Sequence, residues 1–189
     1  MHRPAPLRLL AGALAATLLA ACVSGSTAQD KRQNVQEMRT ETLAKLYAAE
    51  PGARDHIAKS LGYGVFSNVG VNVILLSAGG GWGVVRDNRN GRDTYMKMGS
   101  AGIGLGLGVK DFRGVFVFTT ARALDQFVNH GWDASAQADA AAKAGEKGGA
   151  WAGAVDVAPG IKLYQLTEHG LALQATIQGT KYWKDSELN

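Results

Sequence analysis

From Gly102 to Val109 the chain reads GIGLGLGV, with glycine at every second position and an aliphatic residue between. A period of two belongs to an extended strand, whose successive side chains point to opposite faces. The segment therefore predicts a strand over Gly102–Val109 with one apolar face, built from Ile103, Leu105, Leu107 and Val109, and one bare face. A bare face lets another sheet, a helix or an acyl chain come close to the backbone. Upstream, Ser60–Val85 carries no charge over 26 residues, enough to span a bilayer as a helix. Seven glycines in that run, together with Asn68 and Asn72, argue against a helix, because each interior glycine costs ~1 kcal/mol. The run reads instead as strands at Tyr63–Ser67, Val71–Ser77 and Trp82–Asp87, with glycine turns between them. Glycine makes up 25 of 189 residues, close to twice its usual ~7% share, and no collagen-like triplet accounts for it.

The remaining pattern extends the same theme. Asn88-Arg89-Asn90-Gly91 is a hairpin signal, since Asn-Gly tolerates positive φ, and it joins Trp82–Asp87 to Arg92–Met98. Arg113–Thr119 is a further strand, with Val115 and Val117 opposed to Phe116 and Phe118. Trp132–Ala140 alternates Trp and Ala with polar residues and reads as a strand, Lys143–Gly149 as a loop. Trp151–Val157, Ile161–Thr167 and Leu171–Gln178 complete the set, with Glu168-His169-Gly170 as the last turn. Helical spacing is found over Asn34–Ala49, ended by Pro51-Gly52, over Ala53–Leu61, and over Thr120–His130, where Leu124, Phe127 and Val128 share a face. The expected fold is α+β: an antiparallel, barrel- or sandwich-like sheet of about eight to ten short strands with two or three helices.

The N-terminus is of another kind. His2, Arg3 and Arg8 precede an apolar run, Leu9–Ala20, that is too short to span a bilayer and right for a signal peptide. It ends Leu19-Ala20-Ala21-Cys22, which resembles the lipobox of bacterial lipoproteins, where the cysteine thiol is acylated and becomes the first mature residue. The expected organisation is a lipoprotein signal peptide at 1–21, a lipidated flexible tether at 22–33 and a single domain at 34–189. Arg3 and Arg8 leave with the signal, so the net charge of +4 falls to about +2, which weakens any case for nucleic acid. Two or three acyl chains hold a protein firmly where one does not. With Val23 and Ser24 after the cysteine there is no aspartate of the inner-membrane retention type, which favours the periplasmic face of an outer membrane in a Gram-negative source. As the one cysteine in the chain, Cys22 also excludes an intramolecular disulfide or a multi-cysteine zinc site.

An ordered series of segments from Ala58 to Trp183 carries a family resemblance: AKSLGYGVFSNV, then GGGWGVV, TYMKMG, GIGLGLGVKDFRGVFVF, WDASAQADA and KLYQLTEHGLALQATIQGT. The series resembles the SYLF-domain family, a lipid-binding module of bacterial lipoproteins and eukaryotic endocytic proteins, and is nearest its bacterial branch. Tyr95-Met96-Lys97 and Gln178 depart from the eukaryotic pattern. The resemblance implies phospholipid binding without catalysis, with anionic bacterial phospholipid as the ligand. Actin contact is not carried over to an extracytoplasmic protein.

Signatures of catalysis and cofactor binding are missing from the sequence. It contains no G-x-S-x-G, no G-x-G-x-x-G, no Gly-Lys-Ser/Thr loop and no histidine pair at metal-ligand spacing, so no catalytic residue, metal site or cofactor is assigned. The candidates for lipid headgroups are Arg86, Arg89, Arg92 and Lys97, on or beside the Asn-Gly hairpin; a hairpin tip kept soluble by charge explains them equally well. Lys31, Arg32, Lys181 and Lys184 are secondary candidates, and Tyr182-Trp183 reads either as an interfacial anchor or as core. Three functions follow in order: a membrane-anchored phospholipid-binding protein, a structural lipoprotein that binds another envelope protein, and a hydrolase or transferase using the glycine face as an acyl channel.

Overall fold

The computed structural model describes residues 27–73, 76–103, 108–134, 152–167, 170–172 and 179–189. Helix α1 (Ala28–Ala49) starts six residues before the expected Asn34, so the expected tether at 22–33 is helical from Ala28 onward. The reason is local. The Thr27 hydroxyl accepts the Asp30 N–H and the Asp30 carboxylate accepts the Thr27 N–H, each at 3.1 Å. This reciprocal cap satisfies donors that a helix start leaves unpaired, and an acid in the first turn suits the helix dipole. Val35, Met38, Thr42 and Leu46 form the buried stripe at steps of three and four. The helix ends before Pro51, and α2 (Ala53–Lys59) follows, two residues shorter than expected.

Nine strands hydrogen-bond into one antiparallel, curled half-barrel sheet, so the α+β expectation holds. In chain order they are β1 (Gly62–Val73), β2 (Leu76–Asp87), β3 (Arg92–Ile103), β4 (Gly108–Phe118), β5 (Trp132–Asp133), β6 (Val155–Ala158), β7 (Ile161–Thr167), β8 (Gly170–Ala172) and β9 (Thr180–Lys184). Helix α3 (Ala121–His130) lies between β4 and β5. The spatial order is β5-β9-β3-β2-β1-β4-β7-β6, with β8 also paired to β7.

Over 62–87 the glycines lie within strands rather than between them. Three short strands with glycine turns were expected over 63–87, but β1 and β2 are single strands of twelve residues each. Gly70, Gly79, Gly80, Gly81 and Gly83 all sit inside the ladder, with Asn68 opposite Gly81 and Phe66 opposite Gly83. A Cβ on Gly81 would overlap the Ser67 carbonyl oxygen and stand 2.9 Å from the Asn68 Cα. One on Gly83 would overlap the Val65 carbonyl and the Phe66 ring. Glycine here serves close strand approach rather than reversal.

The described ends of the alternating segment belong to two different strands. β3 ends at Ile103 and β4 starts at Gly108, and in the sheet these two are separated by β2 and β1; residues 104–107 lie outside the described residues. Local alternation specifies an extended backbone but says nothing about which strand it pairs with.

Other boundaries moved too. Of the strand expected at Trp132–Ala140, Trp132–Asp133 pair with β9, Ala134 is helical, and 135–140 lie outside the described residues. The strand expected at Trp151–Val157 is β6, and that at Leu171–Gln178 is represented by β8, with 173–178 outside the described residues. The loop at 143–149 and Glu168-His169 are outside them as well. β7 coincides with its expected range, and β9 was not anticipated.

Among the described side chains, both faces of the sheet are covered. Phe116 and Phe118 of β4 point into an aromatic layer with Phe66, Trp132, Tyr182 and the α3 residues Leu124, Phe127 and Val128. Phe66 and Tyr182 meet edge-on with ring centroids 4.8 Å apart. Val115 and Val117 point the other way, into an aliphatic layer with Val65, Val84 and Tyr164 beneath Val35, Leu46 and Ile57 of α1 and α2. The molecule is thus a helix–sheet–helix sandwich.

Candidate functional site

The Asn-Gly hairpin forms as expected. Gly91 has φ of 72°, and its N–H donates to the Asp87 carbonyl at 2.8 Å. The Asn88 amide donates to the carbonyls of Ile57 at 3.0 Å and Ser60 at 3.1 Å, which fastens the turn to the end of α2. Arg89 donates to Asp87 at 2.9 Å and to Asp125 of α3 at 2.7 Å. The Arg89 guanidinium, ahead of burial in its effect, holds the Asp87 carboxyl below its usual range. A cleft of about 150 Å³ opens between the hairpin and α3, lined by Asp87, Arg89, Arg92, Thr94, Leu124, Asp125 and Asn129 among others. Its two arginines face two aspartates, so the cleft has no strong sign of charge.

The other expected headgroup residues are distributed around this turn. Arg86 donates to both Asp93 oxygens, and Arg39 of α1 reaches the same carboxylate at 3.1 and 3.2 Å. Gln36 donates to Asp93 at 3.0 Å and to the Tyr95 hydroxyl at 2.8 Å. Burial works to raise the Asp93 pKa, but the hydrogen bonds from Arg86 and the charge of Arg39 prevail, so it titrates below its usual value. Lys97 pairs with the buried Asp185 at 3.2 Å. Arg86, Arg89 and Lys97 are therefore engaged with protein carboxylates, while Arg92 is exposed. Asp93 was visible with Asp87 as an acid that dilutes the hairpin's charge, but not as a hub, and Asp185 was not singled out; a lone acid carries no pattern that marks it as a hub.

The C-terminal strand resolves the Tyr182-Trp183 pair. Tyr182 is buried in the aromatic layer, whereas Trp183, on the opposite face, is 45% exposed. The alternation of TKYWK, with Thr180 and Tyr182 buried and Lys181 and Trp183 exposed, was the available signal, though five residues are a short run. Lys181 pairs with Asp133 at 3.0 Å through two partly exposed side chains, and Lys184 is exposed. The secondary candidates in α1 reach the same end of the molecule. Lys31 pairs with Glu187, and the Arg32 Nε donates to the Leu188 carbonyl at 2.9 Å.

Of the histidines, His56 Nδ1 lies 2.6 Å from the Tyr164 hydroxyl. Burial, with the charge of Glu50, pushes the Tyr164 pKa up to about 12, so the phenol keeps its proton. His130 is exposed at the end of α3, and His169 is outside the described residues. Among the described residues no group of three or more His, Cys, Asp or Glu is arranged to hold a metal, and no helix is long and apolar enough to cross a membrane. Cys22 lies outside the described residues.

No family model matches the chain. Over 164 residues, 86% of its length, it is 33% identical to Beta cell expansion factor A of Aeromonas veronii. The alignment takes in 60% of that protein, so the chain spans about three-fifths of the curated relative's length and is, over most of its own, a homologue of Beta cell expansion factor A.

Proposed function

We propose that the protein is a lipid-anchored component of a bacterial cell envelope whose folded body is a SYLF-type domain that binds anionic phospholipid without catalysing a reaction. The observation that carries the reading is the placement of Leu19-Ala20-Ala21-Cys22 five residues before the Thr27 helix cap. Five residues reach at most ~18 Å, so acyl chains on Cys22 would keep the body against the membrane. The segments that carry the SYLF resemblance supply β1 to β4, the centre of the sheet, which supports reading them as one domain. Held at the surface, even millimolar contacts with headgroups are occupied, because the local concentration is high.

Two measurements test this. Labelled palmitate enters the full chain expressed in a Gram-negative host and fails to enter Cys22→Ser. The chain then binds phosphatidylglycerol-containing vesicles more strongly than zwitterionic ones, and salt weakens the difference. Equal behaviour on both vesicle types removes the lipid-binding half of the reading.

A second reading has its own support. Arg86, Arg89 and Lys97 are neutralised within the protein, which suits an envelope lipoprotein that docks on another protein and touches lipid only incidentally. Crosslinking in cells that yields a single dominant protein partner favours it.

A further inference from the structure

The ion pairs around the hairpin leave open which side of the body meets the bilayer, and the C-terminal edge answers it. Trp183 is the large apolar side chain exposed among the described residues. Its indole rests on Gly99 of β3, where an added Cβ would lie 3.1 Å from the ring, so the side chain is seated yet open to solvent. By strand alternation Lys181 shares its face, and Lys184 follows it in the chain. Where β9 ends, residues 185–189 turn back under the start of α1, held there by Lys31 on Glu187 and by Arg32 on the Leu188 carbonyl. Lys31 is one helical turn, ~6 Å, from Thr27. Thr27, five residues after Cys22 in sequence, therefore lies close to the end of β9.

We propose that the edge formed by β9 and the first turn of α1 is the face that this protein lays on an anionic bilayer, with Trp183 at headgroup depth and Lys181 and Lys184 on lipid phosphates. The inference rests on the lipid-anchored reading above. An amphipathic indole prefers that depth. The exposed pair of Lys181 with Asp133, side chains 69% and 35% accessible, exchanges its partner for a phosphate at little cost. The hairpin closes the Asp87–Arg92 end of the β2–β3 ladder, five residues along β3 from Lys97, the partner of Trp183, a distance of ~17 Å, so contact confined to the β9 edge leaves the hairpin off the lipid.

The test uses the acylated full chain in vesicles of phosphatidylethanolamine and phosphatidylglycerol. Trp183 emission is isolated as the difference between the chain and Trp183→Phe, and a dye on Arg92→Cys reports the hairpin. The expected result is quenching of Trp183 by brominated lipid and its protection from iodide, with the hairpin dye open to iodide. Changing Lys181 and Lys184 together to Gln weakens the docked state roughly thirtyfold, at ~1 kcal/mol for each charge, and Trp183 regains iodide access. A protected hairpin dye with an accessible Trp183 overturns the orientation while bilayer contact stands. Neither group touching lipid overturns the orientation and the lipid-contact reading together. Protection of Trp183 that grows with protein concentration in the absence of lipid overturns the proposal in favour of a second copy of the chain.

Discussion

Gly81→Ala tests the central structural argument, that glycine in β1 and β2 serves close approach. Gly81 faces Asn68 in the ladder, and the new methyl would overlap the Ser67 carbonyl oxygen and lie 2.9 Å from the Asn68 Cα. Both obstacles are backbone, so no side-chain rotation relieves them. The strands must part locally, losing about two ladder hydrogen bonds at ~1 kcal/mol each, on top of ~1–3 kcal/mol for overpacking. The expected loss is about 3–5 kcal/mol. Gly91→Ala is the control. Its Cβ meets nothing within 4 Å, and its penalty comes from φ of +72° alone, worth ~1–2 kcal/mol for a left-handed residue. Urea unfolding followed by circular dichroism gives both values from the midpoints, provided the m-values agree. A Gly81→Ala chain within 1 kcal/mol of the parent, or more stable than Gly91→Ala, refutes the reasoning.

Asp93→Asn removes the charge shared by Arg86 and Arg39 and lowers stability by about 2 kcal/mol at neutral pH, less than for a fully buried pair because the side chains keep some solvent. Because Asp93 titrates below its usual 3.8, its contribution is complete above about pH 5 and lost as pH falls through the folded value; urea midpoints between pH 3 and 7 fall less steeply for Asp93→Asn. Tyr182→Phe deletes a buried hydroxyl that has no hydrogen-bond partner among the described residues, so the midpoint stays or rises, by up to about 1 kcal/mol; a loss beyond 1 kcal/mol contradicts this. Thr27→Ala breaks the reciprocal cap of α1, at a cost of ~1 kcal/mol to the first turn, visible as faster amide exchange at residues 30–33.

What could be read from the sequence was whatever is written locally. The Asn-Gly turn, the Leu124, Phe127 and Val128 face of α3, and β7 each declare themselves within a few residues. The opposed Val115/Val117 and Phe116/Phe118 were visible as alternation, though two apolar faces alone do not name the layers they enter. Glycine misled because one residue type answers two demands. At Gly91 it supplies a positive φ, and at Gly81 it supplies room, and only the partner strand tells them apart. The start of α1 was legible after all in Thr27-x-x-Asp30, but SGSTAQDKRQ as a whole has no apolar period and so resembled a linker. The basic residues of the hairpin were legible together with Asp87 and Asp93, which dilute their charge within the same hairpin. Asp125 and Asp185 come from elsewhere in the chain and reach Arg89 and Lys97 only on folding.

The stripe of α1 lies in the same layer as Val65, Val84, Val115 and Tyr164, all of them translated after it. Most of the stability of a helix in a folded protein comes from packing such a stripe rather than from propensity. The first segment of the body to be synthesised is therefore among the last to be secured, and its docking waits on the return of β7. Contacts so distant along the chain slow folding, which leaves an interval in which the new polypeptide is open to proteases and chaperones.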